Sequence, residues 1–235
     1  MRLSTWVGIV SIVILQTVAC GSDSGNAFGS PAVSSSTPPA TPEANFTLPR
    51  QDANGWSILT PSADSRLIYV SVGGNNASAK PYLSSDPEIG SDPYNPRGAI
   101  RPYATLDAAL EQMRKGYPDY VLLKRGDTWA ASKTIYPKPG RSAKERSVLA
   151  YYGSDVARPV VKFFGLDLSR SSYTAVIGIR FVASQRDPAS ADFSGFDTNI
   201  TGLNALGGYN NSVVGGLLIE DCWFDWFSGN VLQSP

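Results

Sequence analysis

Glu220, Asp221 and Asp225 form the densest acidic group of the chain, and Trp223 and Trp226 lie among them. Carboxylate oxygens are ligands that calcium prefers, and exposed aromatic faces suit sugar rings. The five residues therefore predict a calcium-assisted saccharide site in which the two tryptophans bind the substrate. The alternative is an acidic turn whose aromatic side chains pack inward, because strand alternation would bury part of this group.

Two cations complete the predicted chemistry. Lys162 and Arg180 lie on candidate strands, where an outward-facing side chain would serve as a base or would neutralise a sugar carboxylate. The β-elimination of a uronate needs both functions, together with positive charge that stabilises the developing enolate. The chain contains no histidine, which excludes a Ser-His-Asp triad, a histidine proton relay and a histidine metal site. Surface charges without a catalytic role are the alternative for both cations.

A single amphipathic helix precedes the strands that would position these residues. Thr105 is a suitable N-cap, Lys115 lies in the expected last turn, and Gly116 suits the position beyond the end. Apolar residues recur at the i, i+3, i+4 and i+7 positions of one face, namely Leu106, Ala109, Leu110 and Met113. One helix opening an otherwise all-β chain predicts a cap that covers the first coil of a β-solenoid.

Short apolar runs separated by Gly, Asp, Ser and Pro turns follow the helix, and they predict strands at 121–123, 148–151, 160–164, 174–181 and 217–224. The two-residue Asn-Gly signals of antiparallel hairpins do not separate these runs.

Two of the predicted strands align with each other. Placing Phe181 over Phe224 also places Val176 over Ile219 and Ile179 over Cys222, which gives the stacked apolar ladders that successive solenoid coils require. Cys222 is then expected to face inward as a small hydrophobic residue. The polar stretch 183–213 separates the two strands and is predicted to be a long projecting loop, or a loop plus a degenerate coil.

Four sequence segments together resemble the start of the right-handed parallel β-helix proteins, namely Ile68-Tyr-Val-Ser71, Pro102-Tyr-Ala-Thr-Leu106, Val121-Leu-Leu-Lys-Arg-Gly-Asp127, and Tyr151-Tyr-Gly153 followed by Arg158-Pro-Val160. This pectate lyase-like superfamily includes polysaccharide lyases acting on pectate, alginate and chondroitin, rhamnogalacturonan-type hydrolases and non-catalytic surface proteins. The resemblance implies an all-β, right-handed parallel β-helix with an N-terminal capping α-helix. No family site motif matches position for position, and the chain is expected to be the front part of a longer stack.

The N-terminal region has the composition of an export signal followed by a tether. Arg2 and an apolar run too short for a membrane span indicate a signal peptide over residues 1–20. The segment Thr17-Val-Ala-Cys20 resembles a bacterial lipoprotein signal, with Cys20 as the lipidated residue. Cleavage after Ala19 is the alternative. Residues 21–55 are rich in Ser, Thr and Pro and are predicted to be a disordered tether, and residues 56–235 are predicted to form the β-helix domain.

Charge is unevenly distributed along a chain whose formal net charge is zero. Residues 97–180 contain 15 basic and 7 acidic residues, and this basic middle would attract an acidic polymer. The leading hypothesis is an exported, membrane-tethered, monomeric lyase of uronate-containing polysaccharide at the cell envelope or outside the cell, with calcium as a possible cofactor. The competing hypothesis is a non-catalytic carbohydrate-binding or surface-structural protein, whereas zero net charge and an export signal disfavour nucleic-acid binding.

Overall fold

The computed structural model describes residues 49–53, 55–162, 164–197, 199–206 and 214–233. These residues form an all-β fold with parallel sheets and one short α-helix, which confirms the predicted class. Cys20, the signal peptide and most of the predicted tether lie outside the described residues. Within the described part, no helix has both the length and the apolar character needed to cross a membrane.

The described strands pair only in parallel within three sheets. The first sheet has the order β1-β2-β4-β7-β10, the second β3-β5-β8-β11, and the third β6-β9-β12. The strands are β1 (Leu67–Val70), β2 (Tyr120–Lys124), β3 (Thr128–Ala130), β4 (Ser147–Tyr152), β5 (Val160–Lys162), β6 (Leu166–Asp167), β7 (Thr174–Ile177), β8 (Arg180–Val182), β9 (Thr201–Leu206), β10 (Leu218–Glu220), β11 (Trp223–Asp225) and β12 (Gly229–Gln233).

From β4 onward the chain visits the first, second and third sheets in turn and then begins again. We call β4–β5–β6 round one, β7–β8–β9 round two and β10–β11–β12 round three. The predicted alignment of rounds two and three is confirmed, because Phe181 pairs with Phe224 and Val176 pairs with Ile219. The rings of Phe181 and Phe224 stack with centroids 5.0 Å apart and an interplanar angle of 10°.

Two predicted strands each split into two. The candidate at 174–181 becomes β7 and β8 in different sheets, and the candidate at 217–224 likewise becomes β10 and β11. The single-strand predictions were wrong because Gly178 and Asp221 adopt positive φ, at 70° and 53°, and turn the chain between the sheets. The stretch 183–213 contains both a loop and the strand β9, which agrees with the loop-plus-coil alternative.

Apolar side chains from all three sheets share one hydrophobic core. One ladder crosses the whole first sheet, and its paired members are Ile68, Val121, Leu149, Val176 and Ile219. The first four members are at most 1% exposed. Burying one such side chain stabilises the fold by about 1.5–3 kcal/mol, so each ladder links successive rounds energetically.

The first sheet is also buried on its outer face. Tyr69, Leu122 and Val148 point outward and pack with Tyr82 and Ile89, which belong to the long loop between β1 and the helix. A sheet that is covered on both faces needs continuous apolar runs rather than alternation. The runs Leu67–Val70 and Tyr120–Leu123 have that composition.

Helix α1 (Leu106–Glu111) packs its apolar face beside β1, in the same core as Ile68 and Val70. Thr105 is the N-cap as predicted, because its Oγ1 accepts a hydrogen bond from the Ala108 N–H at 3.4 Å. The predicted C-terminal end was wrong, since the helix stops before Lys115. The N–H of Arg114 donates to Asp119 Oδ2 at 2.8 Å instead of continuing the helical pattern.

Candidate functional site

Most of the predicted site residues lie on the outer face of the second sheet. The inward positions of its strands are Val161, Phe181 and Phe224, which belong to or pack against the core. The residues on either side of them in the sequence therefore face outward, because side chains alternate along a strand. The outward residues are Lys162 on β5, Arg180 on β8, and Trp223 and Asp225 on β11.

Strand register places these side chains in two adjacent columns. Arg180 pairs directly with Trp223, so their side chains are neighbours on the outer face. Lys162 and Asp225 both pair with Val182, from opposite sides, so one strand separates them. The second sheet thus brings together one predicted cation, one predicted carboxylate and one predicted aromatic residue, with Lys162 beside them.

The corner between the first and second sheets adds an arginine that sequence reasoning did not select as a site residue. Arg158 precedes β5 in round one, and its Nη1 and Nη2 donate to Asp221 Oδ2 and Oδ1 at 2.5 and 2.6 Å. Nη1 also donates to the Asp221 carbonyl oxygen at 2.6 Å. Gly178 occupies the equivalent corner of round two and contributes no side chain there. The hydrogen bonds to Asp221 raise the pKa of the Arg158 guanidinium above its ordinary value.

Both arginines lie close to the Trp223 indole. The guanidinium carbon of Arg158 is 5.1 Å from the indole centroid, and that of Arg180 is 5.9 Å from it. Both distances fall within the range of cation–π attraction. We call Arg158, Arg180 and Trp223 the arginine–tryptophan platform.

A carboxylate orients each arginine of the platform. Arg180 Nε donates to Asp225 Oδ2 at 2.5 Å, just as Asp221 holds Arg158. The contact between Arg180 and Asp225 involves Nε, and within the described part of the chain no other acceptor contacts the Arg180 guanidinium. Its side chain is 40% exposed, so its Nη groups can donate to a ligand from solvent.

The three predicted calcium ligands lie on different surfaces. Glu220 lies on the outer face of the first sheet, where it accepts hydrogen bonds from the N–H and Oγ of Ser57 at 3.0 and 2.6 Å. Asp221 is at the corner, and Asp225 is on the second sheet. Among the described residues no group of three His, Cys, Asp or Glu side chains is arranged to hold a metal ion. The calcium site stays a prediction from the sequence.

Trp226 lies just beyond β11 and belongs to a different cluster from Trp223. Its indole is 44% exposed and its centroid is 6.4 Å from that of Phe196. Arg186 Nε donates to the Trp226 carbonyl oxygen at 2.9 Å, and Arg186 Nη1 donates to the carbonyl oxygen of Phe196. Arg186 therefore braces the backbone of the insertion and of the turn after β11. Phe196 was missed because only the fold brings it to Trp226.

Cys222 packs against the core in round three, as its predicted inward register requires. Its Sγ lies 3.3 Å from the Glu220 carbonyl oxygen and 3.5 Å from that of Val176. Burial raises the pKa of the thiol to about 12, so little thiolate is present at neutral pH. Cys222 is therefore a packing residue rather than a nucleophile.

Comparison of the chain with protein-family models, with curated proteins and with solved structures gives no match.

Proposed function

We propose that the protein is an exported, membrane-tethered right-handed parallel β-helix protein that acts on uronate-containing polysaccharide. The single observation that carries the proposal is the arginine–tryptophan platform, in which two carboxylate-oriented guanidinium groups lie 5.1 and 5.9 Å from the centroid of one outward-facing indole. An indole face suits a sugar ring, and a guanidinium group suits a sugar carboxylate.

The parallel pairing and the repeated order of the sheets support the β-helix part of the proposal. Three rounds that return to the same three sheets, with one register between rounds two and three in the first and second sheets and a local shift in the third, support a stacked coil architecture. Helix α1 would then be the cap of this stack, because it packs on the interior beside the edge strand β1.

Binding of an acidic sugar would use the groups that the platform leaves open. The sugar ring would lie against Trp223, and its carboxylate would accept hydrogen bonds from the Nη groups of Arg180. Arg158 would contribute further positive charge beside the indole. Because Asp221 and Asp225 fix both guanidinium groups in advance, little side-chain entropy is lost on binding.

The favoured activity is a lyase reaction, for which Lys162 is the candidate base. Lys162 would act in its neutral form and remove the proton from C5 of the uronate. The electron pair of the C5–H bond would form the C4–C5 double bond as the glycosidic oxygen leaves C4 and takes a proton from solvent, and the platform arginines would stabilise the enolate. A non-catalytic carbohydrate-binding protein is the second candidate, favoured by the pairing of Arg158 and Arg180 with protein carboxylates.

Two measurements on the full-length protein test the proposal. Affinity for alginate, pectate and chondroitin is measured by calorimetry, and cleavage is measured by absorbance of the unsaturated product. Trp223→Ala should weaken binding about tenfold, equivalent to about 1.4 kcal/mol, whereas Trp223→Phe retains an aromatic ring and most of the affinity. Arg101→Ala removes an exposed charge from the loop over the first sheet and serves as the matched control.

The outcomes separate the two activities. Binding together with product absorbance that Lys162→Ala abolishes supports the lyase. Binding without absorbance for any polymer supports the non-catalytic protein. Absence of binding to all three polymers by the folded protein refutes both.

A further inference from the structure

The connection between the second and third sheets differs between rounds. It is short in round one, between β5 and β6, and in round three, between β11 and β12, but in round two it comprises residues 183–200. This insertion begins with a 3-10 helix, Ser184–Arg186. The insertion folds back onto the neighbouring turn of round three, where the Ser228 N–H donates to the Ile200 carbonyl oxygen at 3.0 Å.

The insertion builds an exposed aromatic patch against that turn. Phe193 and Phe196 contact each other with centroids 5.4 Å apart, and Phe196 contacts Trp226. The three side chains are 41%, 53% and 44% exposed, respectively. We call these three residues the aromatic patch. Large apolar side chains that cluster at a surface, instead of being scattered singly, indicate an interaction site.

The backbone at Trp226 provides a second, independent indication of a binding role. Its φ is 64°, in the left-handed region that a bulky residue rarely adopts. Such a conformation persists only where its surroundings enforce it, and here Arg186 holds the Trp226 carbonyl oxygen. Trp226 lies at the turn between β11 and β12, and its indole is at the surface beside Phe196.

The patch lies near the arginine–tryptophan platform along the chain. Trp223 begins β11 and Trp226 follows its end, so the two residues are about 10 Å apart along the strand direction. A single polysaccharide chain that stacks on Trp223 can therefore reach the patch by following β11.

Charge distinguishes the patch from the platform. The insertion contains Arg186 and three aspartates, Asp187, Asp192 and Asp197, so its formal charge is −2. Arg186 is already engaged by two backbone carbonyl groups. The platform, taken together with Lys162 and its carboxylate partners Asp221 and Asp225, has three cations and two carboxylates, which gives a formal charge of +1. A sugar carboxylate is attracted to the platform and repelled by the insertion, because like charges raise the electrostatic free energy.

We propose that the aromatic patch is a subsite for an uncharged sugar unit of the polymer whose uronate unit binds the platform. The inference rests on the proposed function, and it narrows the substrate to an acidic heteropolysaccharide in which charged and uncharged sugars both occur. A polymer made only of uronates would place a carboxylate against the acidic insertion.

Calorimetry with defined polymers tests the inference on the full-length protein. The probes are polygalacturonate, which contains only uronate, a rhamnogalacturonan in which uronate alternates with an uncharged deoxy sugar, and an uncharged galactan. The protein should bind the alternating polymer about tenfold more tightly than polygalacturonate, and the galactan least tightly.

Variants of the patch should remove this preference selectively. Phe196→Ala and Trp226→Ala should lower affinity for the alternating polymer to the value for polygalacturonate, while affinity for polygalacturonate stays within about twofold. Trp226→Phe retains a ring and should preserve most of the preference. Tyr136→Ala removes a side chain that is 54% exposed in the segment before round one and is the matched control. Thermal unfolding of each variant verifies that the fold is retained.

The results separate the inference from the proposed function. Equal affinity for the two acidic polymers, or a preference that survives in both patch variants, overturns the inference and leaves the proposed function standing. Absence of binding to either acidic polymer overturns the proposed function and the inference together.

Discussion

The ion pair between Arg158 and Asp221 is the contact on which the proposed platform geometry depends, and a double-mutant cycle measures it. Arg158→Met removes the guanidinium group and keeps much of the side-chain length. Asp221→Asn removes the negative charge, and asparagine tolerates the left-handed conformation that this residue adopts at φ 53°. The free energy of unfolding of the two single variants and of the double variant is obtained by urea denaturation.

The structure sets the expected magnitude. The two side chains are 23% and 29% exposed, so the pair is more shielded than a surface ion pair of about 0.2–1 kcal/mol. Hydrogen bonds to charged groups contribute about 1.5–3 kcal/mol. We therefore expect a coupling energy of about 1.5–2 kcal/mol, and a melting temperature about 3–8 °C lower in each single variant.

An exposed ion pair of this protein provides the control. Lys80 Nζ and Glu88 Oε1 are 3.8 Å apart, and their side chains are 39% and 36% exposed. The matched cycle of Lys80→Met and Glu88→Gln should give a coupling energy below about 0.5 kcal/mol that disappears in 1 M salt. If Arg158→Met and Asp221→Asn are additive within about 0.5 kcal/mol, the two residues do not interact in solution and the platform geometry is refuted.

Three further predictions concern the helix, the thiol and the N-terminus. Leu110→Asp should lower the free energy of unfolding by several kcal/mol, because it places a charge at a site that is 8% exposed. The control Glu111→Asp, on the exposed face of the helix, should lower it by less than about 1 kcal/mol. Equal thermal unfolding of the two variants would contradict the packing of α1. Cys222 should react slowly with iodoacetamide at pH 8 in the folded protein and rapidly in urea, because its pKa of about 12 in the folded protein leaves little thiolate. Fast labelling of Cys222 in the folded protein would disprove the inward register. Cys20→Ala should release the protein from the membrane fraction, and mass spectrometry of the mature N-terminus would show Cys20 without added acyl mass if ordinary signal cleavage applies.

The register of the inner ladders could be predicted from the sequence, and the corners could not. Phe181 over Phe224 followed from matching two apolar runs, because an inward column accepts only apolar side chains. The chain changes sheets at Gly178 and Asp221, which lie inside those runs and interrupt them by a single residue. The two strands on either side of each corner both contribute apolar side chains to the same core. Apolar residues therefore recur on both sides of the corner, and composition alone predicted one strand where the structure has two.

The site was predicted in part for the same reason. Arg180, Trp223 and Asp225 could be identified from the sequence because they alternate with core residues on their strands. Glu220 is close to Asp225 in sequence, but the two residues belong to different sheets. Closeness along the chain therefore predicted a single acidic cluster that the fold divides. Arg158 is 63 residues from Asp221, and only the stacking of three rounds brings the two together.

The two carboxylates beside the platform make it a more selective site than free arginines would be. Unpaired surface guanidinium groups bind many anions and sample many rotamers. Asp221 engages both Nη groups of Arg158, whereas Asp225 contacts only Nε of Arg180, so Arg180 retains more donors for a ligand than Arg158 does. The attraction that concentrates an acidic polymer near the surface can come from the basic segment 97–180, which carries a formal charge of +8. Long-range attraction and local recognition are then carried by different residues, and the platform can be nearly neutral while still orienting a uronate.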